Sequence, residues 1–197
     1  MPTVLLTAFK PYGTWPENAS WLAMVELTRQ MPATPRITTR LYPVDFDAAR
    51  DMLARDLEED YDVALHMGQA PGSSGIALEA IGINVGGTTD QPPETLRPLS
   101  DDGPVAYRSQ LPLARWASRL REAGIPASVS YHAGTYLCNA TLYWSHHLVQ
   151  QMNLKTKSGF IHLPLDATQT TGESRDLPSL PAATVARALR LVLEELV

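Results

Sequence analysis

The sequence predicts a single-domain α/β protein, a three-layer α/β/α sandwich with helices on both faces of a largely parallel, mixed central sheet. Three observations carry this reading. Short apolar runs alternate with amphipathic stretches along the chain. The 197 residues suffice for one domain with a substantial core and fall short of two. Asp62 to Met67 (DVALHM) is nearly all apolar and ends in Gly68, as a strand buried on both faces of a sheet does.

Each element follows from its own pattern. Val4 to Phe9 is a compact apolar run and reads as the first strand; Trp21, Met24, Val25 and Thr28 then fall at helical spacing. Arg36 to Leu41 reads as a second strand, and Phe46, Ala49, Leu53 and Leu57 mark one side of the next helix. After the strand at Asp62 to Met67 and a GSSG turn, Ile76 to Asn84 reads as one extended run. Val85 to Pro104 is polar, rich in Gly and Pro, and longer than most connections in compact domains, which marks it as a functional lid or a surface excursion. Pro112 introduces a helix with Leu113, Trp116, Ala117 and Leu120 on one face, and Gly124 and Pro126 stop it. A strand at Ser128 to Ala133, a helix at Asn139 to Met152 and a strand at Phe160 to Leu163 follow. The chain closes with a helix carrying Val185, Ala188, Leu189, Val192 and Leu196.

Composition narrows the function classes. Sixteen basic against 21 acidic side chains give a net charge of −5 with no basic face, which speaks against nucleic-acid binding. No apolar stretch approaches the roughly 20 residues of a membrane span. The opening MPTVLLTAF lacks the features of a signal peptide, so the cytoplasm is the expected compartment. A single cysteine, Cys138, rules out a disulfide within the chain. No GxxxxGK[ST] or GxGxxG loop supports a nucleotide cofactor, and neither GxSxG nor HExxH occurs. His146 and His147 are adjacent on a helix and point apart, while Cys138 and His146 lie about 12 Å apart along it, so no metal site is expected.

Cys138 lies just past a strand, after an Ala133-Gly134-Thr135 turn, at the start of a helix. There the helix dipole and unpaired amides favour a thiolate and are positioned to form an oxyanion hole. Read alone, it is also an ordinary buried small hydrophobe. His162, in FIHLP near the C-terminal end of a strand, is a candidate base, because ligands of open α/β sheets bind outside those ends. Glu79 is an acid in the otherwise apolar GIALEAIGIN, fit to orient an imidazole or else to face solvent from an edge strand.

Together these segments resemble the pyroglutamyl peptidase I (pyrrolidone-carboxylate peptidase) family of cysteine peptidases through most of the chain. TAFKPYG followed by Asn18, Ser20 and Trp21 is similar to the family's TGFxPFGxxxxNPSW. Met67-Gly68-Gln69-Ala70 resembles its G-Q-A turn, LEAIGIN its LERVAIN, and GPVAYRSQLPL its GPAAYFSTLPI. AGTYLCN and GFIHLP are near-literal copies of its cysteine and histidine boxes, 24 residues apart from Cys138 to His162. The resemblance implies a peptidase that removes N-terminal pyroglutamate from peptides through a thioester, without metal or cofactor. In it Cys138 is the nucleophile, His162 general base and then acid, and Glu79 the residue that orients His162. It places Phe9, Tyr12, Tyr136 and Leu137 in the lactam pocket, with the side chain or backbone of Gln69 available to the ring. It also points to a homotetramer.

The segment after Asn84-Val85 departs from the family. It reads GGTTDQPPETLRP in place of DARIPDNxGxQP, about four residues shorter, and the family's arginine near the reacting carbonyl has no counterpart in register. Arg97 is the available substitute. Ala8, Lys10 and Ala80 also depart from the usual residues. Two alternatives therefore stand beside pyroglutamyl hydrolysis: the same triad acting on another small lactam or amide, and a member that only binds N-terminally blocked peptides.

Overall fold

The computed structural model describes residues 1–88, 90–171 and 176–196. Its strands are β1 (Thr3–Phe9), β2 (Arg36–Tyr42), β3 (Val63–Gln69), β4 (Ile76–Glu79), β5 (Ile81–Ile83), β6 (Ala106–Arg108), β7 (Ala127–Ser130) and β8 (Lys157–Leu163). Its helices are α1 (Ala19–Thr28), α2 (Phe46–Leu57), α3 (Leu113–Glu122), α4 (Leu137–Gln151) and α5 (Ala182–Glu194). Six strands form the main sheet in the order β2-β1-β3-β8-β4-β7. β1, β2, β3 and β8 run parallel, while β4 runs against β8 and parallel to β7. The sheet is mixed and mostly parallel, as expected.

Strand alternation sorts the core into two layers. Val4, Leu6 and Ala8 of β1 join Val63, Leu65 and Met67 of β3 beneath α1, α3 and α5. Leu5 and Phe9 face the other way, with Ala64 and Phe160, into the layer of α2 and α4. Every residue of β3 is buried, as its central place requires.

Several elements differ from the expected pattern, among them β7, which ends at Ser130 and not at Ala133. The inward face of α1 is Ala19, Ser20, Ala23, Met24 and Leu27; of the other expected residues Trp21 packs half-buried against the core, Val25 is half-buried and Thr28 is exposed. Hydrogen bonds turn the helix: Phe9 N–H donates to Ser20 Oγ at 3.1 Å and Ala19 N–H to Gln69 Oε1 at 2.8 Å, drawing the small side of the first turn against the sheet. The run Ile76 to Asn84 breaks at Ala80, whose N–H bonds Ser130 O and whose carbonyl takes Ser109 N–H. Beyond it, β5 leaves the main sheet and pairs antiparallel with β6, a three-residue strand whose pattern is too short to read from sequence. β8 begins three residues earlier than its apolar core, at Lys157.

A buried polar chain crosses the α4 layer. Thr7 Oγ1 meets His66 Nδ1 at 2.8 Å, His66 Nε2 meets Ser145 Oγ at 3.0 Å, and Ser145 Oγ donates to Ser158 Oγ at 2.7 Å. Burial, with a smaller contribution from His146, pushes His66 down to about 3, and burial alone pushes His146 down to about 4. Both rings stay neutral in the fold but take protons in the unfolded chain below about pH 6.5. Their stabilisation is therefore complete above that value and is lost as pH falls. Between pH 6.5 and 5, above the range in which ordinary carboxylates titrate, each is expected to cost about 1–2 kcal/mol of folding stability. Urea unfolding across that window checks this, and an unchanged midpoint would refute it.

Candidate active site

The site forms where the ends of β3, β8 and β1 meet the start of α4. In the antiparallel β4·β8 pair, Glu79 stands opposite Phe160, and His162 lies two residues further along the same face. Glu79 and His162 are thus diagonal neighbours across the ladder, within reach of long side chains. Glu79 Oε1 accepts from His162 Nδ1 at 2.8 Å. Glu79 is 2% exposed, which overturns the solvent-facing alternative for it, and its Oε2 has no partner among the described residues.

With Nδ1 on Glu79, the other imidazole nitrogen is left for Cys138, which lines the same cavity as His162 and lies near enough to favour its charged form. Burial opposes the imidazolium, but Cys138 and Glu79 on its two sides outweigh that cost and raise His162 to about 10. An imidazole held by a buried carboxylate beside a thiol is the arrangement that activates a nucleophile.

The approach to α4 is made by Gly134, whose φ of +80° is a left-handed turn open to glycine at little cost. Cys138 is the second residue of α4, so the helix starts two residues before the expected Asn139. The capping residue Tyr136 makes no side-chain bond to the first turn, and the first intrahelical bond runs from Ala140 N–H to Tyr136 O. The amides before it, that of Cys138 among them, are the free donors of a helix N-terminus.

A cavity of about 400 Å³ opens over the thiol. Phe9, Tyr12, Gln69, Tyr136, Leu137, Cys138 and His162 all line it, so seven of the eight residues singled out from sequence come together, with Glu79 directly behind His162. Burial first, then the nearby Cys138, raises Tyr12 to about 12, and its hydroxyl stays protonated. The structure sharpens the expectation for Gln69. Its Oε1 accepts from Ala19 N–H and from Gln169 Nε2, both at 2.8 Å, while its Nε2 has no partner among the described residues.

Sequence reasoning missed several wall residues: Asn18, Val44, Gly68, Pro71 and Thr88. Asn18 carried a signal as the helix cap it proves to be, its Oδ1 accepting from Ser20 N–H and Oγ while Nδ2 donates to Lys10 O. Gly68 lies beside His162 in the β3·β8 register, and a Cβ there would come within 2.8 Å of Cys138 Sγ. Arg97 does not substitute for the missing arginine. Its guanidinium is turned to the carbonyls of Glu94 and Leu96, and the described cavity wall holds no lysine or arginine. Among the described residues, no group of three or more His, Cys, Asp or Glu is arranged to hold a metal ion.

Comparison with known proteins gives one consistent result. The family model for pyroglutamyl peptidase matches residues 2–197. A pyrrolidone-carboxylate peptidase of Yersinia pestis (strain Pestoides F) is 36% identical over 98% of this chain and 92% of its own length. The crystal structure of pyrrolidone carboxyl peptidase from Fervidobacterium islandicum AW-1 superposes with a TM-score of 0.91 at 32% identity, covering 100% of this chain and 98% of that one. The pyrrolidone carboxyl peptidase from Thermococcus litoralis gives 0.88 at 30% identity, with coverages of 98% and 92%.

Proposed function

This chain belongs to the pyroglutamyl peptidase family, and from that premise we propose that Cys138 is its nucleophile, His162 its general base and acid, and Glu79 the carboxylate that orients His162. The activity is hydrolytic removal of an N-terminal pyroglutamyl residue from peptides. The observation that carries the residue assignment is the 2.8 Å bond from His162 Nδ1 to buried Glu79, with Cys138 on the other side of the ring and the cavity above it.

In this reading the Cys138 thiolate attacks the carbonyl that follows the lactam, forming a carbon–sulfur bond. The resulting oxyanion is met by the amides at the start of α4. With no cationic side chain in the described wall, those amides carry that duty. Collapse breaks the carbon–nitrogen bond, and His162 protonates the departing amine. Water, deprotonated by the same imidazole, then attacks the thioester and releases pyroglutamate and the thiol. Phe9, Tyr12, Tyr136 and Leu137 supply the flat apolar walls a lactam ring requires, and the unpaired Gln69 Nε2 is a donor for its carbonyl.

Turnover of pyroglutamyl, prolyl and alanyl aminomethylcoumarins tests this. Release from the pyroglutamyl compound alone is expected, because a site built to bond the lactam carbonyl rejects a ring without it. Preference for the prolyl or alanyl compound would overturn it. No helix of the described structure is long and apolar enough to cross a membrane. A nucleophilic thiol with no disulfide partner suits a reducing compartment, which favours the cytoplasm. Light scattering on the purified chain decides whether it forms the homotetramer the resemblance implies.

A further inference from the structure

The 84–104 segment departs most from the family pattern, yet it forms one wall of the cavity through Thr88. The structure shows what holds it there. Asn139, the residue after Cys138, is fully buried and spends its whole amide on the root of this loop. Its Oδ1 accepts from Ile83 N–H at 2.9 Å, and its Nδ2 donates to Ile83 O and Val85 O, each at 2.9 Å. The side-chain amide thereby pairs with Ile83 as a peptide group of a neighbouring strand would.

Connection from this root to the cavity is short. Gly86 exchanges two backbone bonds with Arg97, at 2.7 and 3.1 Å, and Gly87 N–H donates to Thr135 O at 3.0 Å. Thr88 follows at once. The return limb is tied to the same root by Asn84, whose Oδ1 accepts from Leu99 N–H and Ser100 N–H at 2.7 and 3.0 Å. β5 itself lies directly on α4, since a Cβ on Gly82 would fall 2.9 Å from Tyr143 N.

We propose that Asn139 is the positioning residue of the substrate loop, fixing the wall at Thr88 relative to the thiol by holding Ile83 and Val85 from the turn that carries Cys138. The proposal rests on Cys138 being the nucleophile. It makes the loop and the thiol parts of one rigid unit, although Thr88 and Ala133, which both line the cavity, lie 45 positions apart in sequence. Asn139 touches no substrate in this scheme. Its loss leaves Ile83 N–H and Val85 O without these partners, and the cost falls on the loop, the part free to move.

The test uses Asn139→Ser in the full chain, with three readouts. Alkylation of Cys138 by iodoacetamide is expected to stay within about twofold, because the His162 pair is untouched. KM for the pyroglutamyl coumarin is expected to rise about tenfold or more with kcat changed less than threefold, the mark of lost binding without lost chemistry. Hydrogen exchange of the Gly86 and Gly87 amides should speed up. An unchanged KM overturns the proposal, and so does a fall in alkylation that parallels the fall in turnover, since Asn139 would then act on the thiol. Should Asn139→Ser fail to fold, Asn84→Ser decides the matter from the far end of the same clamp, where an unchanged KM again overturns it. Failure of the underlying reading is distinct: it appears as turnover that survives loss of Cys138.

Discussion

Cys138→Ala is expected to lower kcat/KM for pyroglutamyl substrates by at least about 10⁴-fold, because nucleophile and base act as a unit and neither retains its role alone. The sulfur is half-buried beside Phe160 and Gly68, and its loss removes one atom from a wall of the cavity. Thermal unfolding should therefore change little, which separates chemical loss from structural loss. Cys138→Ser is expected to fare almost as badly. The His162 site is built to stabilise an ion pair, with Glu79 on one side and the sulfur on the other, and a hydroxyl does not ionise to complete that pair near neutral pH. The measurement is steady-state hydrolysis of the pyroglutamyl coumarin by wild type and both variants. Retention of more than about a hundredth of wild-type activity in the alanine variant would assign the nucleophile elsewhere.

Cys138, His162 and Glu79 were legible because each carried a local signal, whereas the pocket residues came from the family resemblance. Cys138 is a lone thiol at a helix start, and His162 closes an apolar strand. Glu79 is a charge in apolar surroundings, which either a partner or a solvent-facing edge strand explains. What sequence periodicity cannot give is the direction in which β4 runs. Glu79 reaches His162 because β4 is antiparallel to β8, placing the two on a diagonal of one face. A parallel neighbour would not have presented the same register. The inward face of α1 was misread for a related reason. Its orientation is set by hydrogen bonds from Phe9 and Ala19 to Ser20 and Gln69, groups distant in sequence, while hydrophobic spacing pointed to the larger Trp21 and Val25. β6 was invisible because three residues carry no period to detect, and the polar loop, marked from its length and composition as a lid or surface excursion, held nothing that singled out Thr88. The clamp at Asn139 was hidden inside a motif read only for its cysteine.

Gly68 makes the second large effect, and it is the place where sheet packing and chemistry coincide. The residue sits in β3 beside His162, with its missing side chain directed at the α4 layer. An added Cβ would lie 2.8 Å from Cys138 Sγ and 2.8 Å from Phe160 Cζ, closer than real Cβ atoms approach either. Relief has few routes. Phe160 is fully buried and rests against Phe9 at 6.4 Å and His162 at 5.0 Å between ring centroids, so moving it disturbs the imidazole. Moving the sulfur instead changes its distance and angle to His162 and to the amides of its own turn. Gly68→Ala is thus expected to cost about 1–3 kcal/mol of stability through overpacking. It should also lower kcat/KM on the order of 10²-fold, the penalty of an ångström-scale misplacement of a reacting atom. The loss should fall on kcat and on the rate of Cys138 alkylation together, the opposite of the pattern expected for Asn139→Ser. Parallel measurement of alkylation, kcat and KM distinguishes the two. Full activity in folded Gly68→Ala would mean that the thiol reacts from another position, with its present place beside His162 not part of the reacting geometry.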